Sequence, residues 1–127
     1  ADMFETMKFA SLLQKVARMD PTALPASAVL KMVTLGGAEA LCWDEIGVIE
    51  PGKKADIIVV DLKKPHLTPL YNEESHLVYA ARSSDVRTVL VDGRIVVEDG
   101  ELKTMDLEEI MEMAEKAREE LLSRLEG

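Results

Sequence analysis

A chain of 127 residues with 47% apolar and 31% charged residues is one small domain's worth of globular polypeptide, which excludes extended disorder and a second independent core. The formal net charge of −9 argues against phosphate backbones and anionic lipid as partners, so neither nucleic acid nor a membrane surface is expected. Cys42 is the one cysteine, which rules out an intrachain disulfide, and no apolar run approaches the ~20 residues of a membrane span.

Asp2 and Glu5 have capping-box spacing. Apolar residues at helical intervals follow, from Met3 and Phe4 through Met7, Leu12 and Leu13 to Val16. This pattern predicts a helix from Met3 to Arg18, buried on more than half of its circumference and ended by Asp20-Pro21. Beyond Pro25 a second helix is expected from Ala26 to about Leu35, interrupted at Gly36-Gly37 and resumed as a short turn over Ala38–Leu41. The two glycines are read as a place where backbones approach closely, since no strand or glycine-rich phosphate motif surrounds them. Cys42, in Ala-Leu-Cys-Trp, has no His or Cys at ligand spacing and is expected to be a buried, inert thiol.

The stretch from Ile46 to Asp61 organises the middle of the chain. Pro51-Gly52 suits the central positions of a type II turn, because proline pre-sets the first φ and glycine accepts a positive second one. Ile57 to Val60 is an unbroken β-branched run bounded by Asp56 and Asp61, and is expected to be a strand covered on both faces. His66 lies in a loop between Pro65 and Pro69, and a short helix is expected from Glu73 to Ala81. Val86–Val91 and Arg94–Val97 are then joined by Asp92-Gly93, the dipeptide of a two-residue type I′ hairpin. Asp99-Gly100 turns the chain again toward a brief strand at Glu101 to Lys103.

A last helix is expected from Asp106 to about Leu125, with Asp106 and Glu109 at capping-box spacing and one apolar stripe. Glu112 with Lys116 and Glu120 with Arg124 are spaced for ion pairs. Residues 98–127 hold eleven acidic and four basic residues, the composition of a solvated helix face, and fewer than three heptads argue against a coiled coil. The predicted organisation is therefore 1–43, 44–104 with the hairpin at 86–97, and 105–127.

Several motifs together resemble one family. Gly-Val-Ile-Glu-Pro-Gly-Lys from Gly47, Ala55-Asp56 with its apolar run to Asp61, and Asp2-Met3-Phe4-Glu5-Thr6-Met7 are three of them. Leu30-Lys31-Met32-Val33-Thr34 with Gly37-Ala38-Glu39-Ala40-Leu41, His76-Leu77-Val78-Tyr79-Ala80 and Val89-Leu90-Val91-Asp92-Gly93-Arg94 complete the set. In this order they are similar to the carboxy-terminal part of metal-dependent amidohydrolases, above all the 5-methylthioadenosine/S-adenosylhomocysteine deaminases and their chlorohydrolase-like relatives. Trp43 departs from the small or aliphatic residue usual there.

The resemblance implies a mixed α+β fold, namely the last helices of a (β/α)8 barrel, the carboxy-terminal share of a small β-sandwich, and a terminal helix. It implies a parent enzyme that uses zinc, or another divalent metal, to deliver hydroxide to an adenine-type nucleoside with loss of ammonia. Such a barrel needs roughly 250 residues, and this chain opens at Ala1 already in a helical pattern, so a fragment is expected. The family's metal ligands and its acid/base glutamate would lie upstream. Only His66 and His76 are present, without a His-x-His pair, so this chain is expected to carry no catalytic or metal residue, to bind no metal alone and to be inactive alone. Pro51, Gly52, Asp56, Asp61, Asp92 and Gly93 are assigned structural work, and Asp2 a helix cap. The expected partners are the remainder of the parent protein and, for the chain by itself, a second copy covering Ile57–Val60 and the first helix; the expected compartment is the cytoplasm. A guanine or triazine hydrolase would share this end, and an oligomerisation module is the non-enzymatic alternative.

Overall fold

Local sequence rules account for most of the elements in the structure, a computed structural model that describes residues 2–125. Ala1, Glu126 and Gly127, the outermost residues of the predicted segments 1–43 and 105–127, lie outside the described residues. Helix α1 spans Met3–Arg18, and the Asp2 carboxylate accepts the N–H groups of Phe4 and Glu5. It stops before Asp20-Pro21: Met19 turns left-handed at φ 50°, and the N–H groups of Met19 and Asp20 close back onto the carbonyls of Val16 and Lys15. Lys15 Nζ then donates to the carbonyls of Pro21 and Ala23, pinning the loop that follows.

The second helical stretch is not broken at its glycines. α2 (Ala26–Lys31) passes into a π-helical turn over Met32–Gly36 and then into α3 (Gly37–Ala40). Gly36 and Gly37 both keep right-handed helical angles, and a Cβ at Gly37 would meet nothing within 4 Å, so neither marks a close approach. Gly47 does. It adopts φ +87°, and a Cβ there would lie 2.9 Å from Ala38 Cβ and 3.0 Å from the Thr34 carbonyl oxygen. The loop after α3 is therefore pressed against the π turn.

Strand β1 (Ile57–Val60) pairs with β2 (Val86–Val91), β2 with β3 (Arg94–Glu98), and β3 with β4 (Glu101–Leu102), giving a four-stranded antiparallel sheet in the order β1-β2-β3-β4. The helix α4 (Glu73–Tyr79) lies in the long connection from β1 to β2. Asp92 and Gly93 both have positive φ, 50° and 77°, as the type I′ hairpin requires. The expectation that β1 is covered on both faces is corrected: Ile58 and Val59 are 53% and 46% exposed. β1 forms one edge of the sheet and has a neighbour only on the β2 side.

Phe4, Met7, Ala26, Val29 and Val78 form the core, where α1, α2 and α4 meet, and Val60 and Val86 bring the first two strands against it. α1 buries only a spine of Phe4, Met7 and Ser11, while Met3, Phe9, Leu13 and Val16 are more than half exposed. This falls short of the expected burial. α5 spans Leu107–Leu125, and no described residue of it is buried. The spacings Glu112/Lys116 and Glu120/Arg124 form no ion pair; Arg118 bonds Glu115 instead at 2.7 Å. The chain exposes 9797 Å², against about 6,700 Å² expected for a compact monomer of 14.0 kDa. Among the described residues, no helix is long and apolar enough to cross a membrane.

Candidate functional site

Pro51 and Gly52 form their turn with the Lys53 N–H on the Glu50 carbonyl at 3.2 Å and a φ of +88° at Gly52. That turn reverses the chain so that Lys54, Ala55 and Asp56 run alongside the tip of the β2–β3 hairpin. Asp56 Oδ1 accepts the Asp92 N–H at 2.6 Å, and the Ala55 carbonyl accepts the Gly93 N–H at 3.0 Å. Lys54 Nζ contacts Asp92 Oδ1 at 2.9 Å, which raises the Lys54 pKa, first by this hydrogen bond and then by the charge of Asp92. Asp56 and the Asp92-Gly93 dipeptide, far apart in sequence, thus converge on one clasp. Trp43 stands next to it: Lys54 Nζ lies 5.9 Å from the ring centroid, and Trp43 Nε1 donates to Glu45.

Asp61 belongs to a second cluster. Its carboxylate accepts the Lys63 N–H, which is the main reason its pKa is lowered, with Lys64 adding to the effect. Its own N–H donates to the Asp85 carbonyl at 2.8 Å. Asp85 is the residue that sequence reasoning missed. Its side chain is 3% exposed, and Oδ2 accepts from His66 Nε2 at 2.8 Å and from the Arg82 N–H at 2.9 Å. Burial pushes this carboxyl up, but the bonds from His66 and Arg82 and the fields of His66 and Lys64 outweigh it and hold it below the usual carboxylate range. The pair ties the 3-10 turn Pro65–Leu67 to the turn Ser83–Asp85 that feeds β2. The one signal in the sequence is the proline-braced His66; nothing nearby announces Asp85 as its partner.

A third network joins helices. Ser11, fully buried, donates to the Leu24 carbonyl at 2.7 Å, so the Tyr79 hydroxyl 2.7 Å away donates to Ser11 Oγ. His76 has its ring nitrogens near backbone carbonyls, Nδ1 at 2.9 Å from that of Asn72 and Nε2 at 3.2 Å from that of Pro69, so whichever nitrogen carries the proton donates to the backbone. Cys42 is exposed, with φ +52°, and is not the buried thiol expected: the left-handed turn after α3 carries it outward.

Among the described residues, no three His, Cys, Asp or Glu side chains come together in a way that could hold a metal ion. Among the described residues neither His66 nor His76 has two further ligand side chains gathered beside it, so a zinc ion does not fit the groups present. What the arrangement does chemically is hold backbone: two carboxylate clasps and a hydroxyl relay fix loops between helices and sheet.

The Amidohydrolase family model matches residues 1–96, and the chain belongs to that family. Over 124 residues it is 52% identical to a 5′-deoxyadenosine deaminase of Methanosarcina mazei, covering 98% of this chain and 28% of the relative. It is 48% identical over 124 residues to a 5-methylthioadenosine/S-adenosylhomocysteine deaminase of Thermoanaerobacter pseudethanolicus, covering 97% of this chain and 29% of that one. A crystal structure of an adenosine deaminase from Xanthomonas campestris with bound zinc superposes with a TM-score of 0.92 at 37% identity, over 95% of this chain and 28% of that one. The chain therefore spans little more than a quarter of the length of the relatives it matches.

Proposed function

We propose that this chain is the carboxy-terminal structural portion of a zinc-dependent aminohydrolase that deaminates adenine-type nucleosides, such as 5-methylthioadenosine, S-adenosylhomocysteine or 5′-deoxyadenosine. The observation that carries the reading is its identity, 52% and 48%, with two adenine-nucleoside deaminases over almost its whole length. In this reading α1 to α3 are the last helices of the barrel, the four-stranded sheet is the carboxy-terminal share of a β-sandwich, and α5 is a terminal appendage. Metal, substrate and acid/base groups belong to the remainder of the parent protein. This chain's own residues tie α1 to α4 through Ser11–Tyr79, brace the connection between β1 and β2 through Asp85–His66, and fasten the segment before β1 to the hairpin tip through Asp56.

The exposed faces of α1 and β1 support the same reading, since soluble monomers rarely leave apolar patches above a few hundred Å² uncovered. We assign their cover to the remainder of the protein, and for the chain by itself to a second copy, which light scattering after size exclusion would reveal. Zinc analysis and ammonia release from the three nucleosides test the functional reading, on the 127-residue chain and on the product of the whole gene. The expected result is no zinc and no turnover from the chain alone, and deamination by the whole product. Turnover by the chain alone, or a whole product that prefers guanine or a triazine, would overturn it.

A further inference from the structure

We draw no further inference here: the strongest candidate, the cleft between the start of α1 and the end of α4 with Lys8, His66 and Arg82 on its walls, carries nothing because Asp2 and Glu5 on the same walls offset its cations and nothing in the structure shows what ligand it would take.

Discussion

Helices α1 and α5 begin alike and end in different circumstances. Each is opened by an aspartate, Asp2 or Asp106, whose carboxylate accepts two N–H groups of the first turn, and each carries an apolar stripe of helical period. α1 sets Phe4, Met7 and Ser11 into a core shared with α2 and α4, whereas every described residue from Glu101 to Leu125 is exposed. Periodicity therefore specifies that a segment is a helix and which face is apolar; what that face meets is decided elsewhere. Surface substitutions in the two helices should differ little, and substitutions on the stripes should differ greatly.

The largest expected effect is at Phe4, 7% exposed in the core: Phe4→Ala should cost about 3–5 kcal/mol. Chemical denaturation followed by Trp43 fluorescence measures it, and a loss below 1 kcal/mol would mean that α1 packs no better than α5. Ser11→Ala sharpens the contrast. It strips the Leu24 carbonyl of its donor and the Tyr79 hydroxyl of its acceptor, at a cost of about 1–3 kcal/mol. Tyr79→Phe should recover part of that loss when combined with it, which a double-mutant cycle detects; strict additivity would dissolve the network.

Acid should also find the packed part first. Asp85 has its pKa lowered in the fold, so its contribution is present above the unfolded carboxylate value and is lost as pH falls through the folded one. Melting temperature should therefore drop as pH is taken below about 4, and drop less steeply in Asp85→Asn. Identical slopes in the two proteins would remove Asp85 from the account. The smallest effect is expected at Leu121→Ala, which should shift the unfolding of the packed part by less than about 0.5 kcal/mol; a loss of 2 kcal/mol or more would show that α5 is anchored to its own chain.

What could be read in advance was local. The bounds of α1, the caps at Asp2 and Asp106 and the type I′ turn at Asp92-Gly93 all follow from neighbours within a few residues. What could not be read depends on groups brought together by the fold. His66 gives no hint of Asp85, 19 positions on, and nothing about Ser11 identifies Tyr79 as its donor. The π turn at Met32–Gly36 was hidden because glycine signals a helix break by propensity, while here both glycines stay helical and Gly47, from another loop, takes the tight contact. The exposure of Ile58 and Val59 was misjudged for a different reason: a β-branched run reports the cover a strand is suited to, and the chain does not itself supply all of it.

The clasp between Ala55-Asp56 and Asp92-Gly93 also bears on the order in which the sheet assembles. β2 and β3 are joined by two residues, whereas β1 and β2 are separated by the whole stretch 61–85. Closing the longer loop costs about 2 kcal/mol more in chain entropy. The hairpin is therefore expected to form first and to present, at its tip, the two N–H groups on which the segment before β1 is captured. Pulse-labelled hydrogen exchange during refolding would see Arg94 to Val97 protected before Ile57 to Val60, and the reverse order would refute this sequence of events. Gly93→Val, which forces a β-branched residue to positive φ, would then slow the whole sheet and not the hairpin alone.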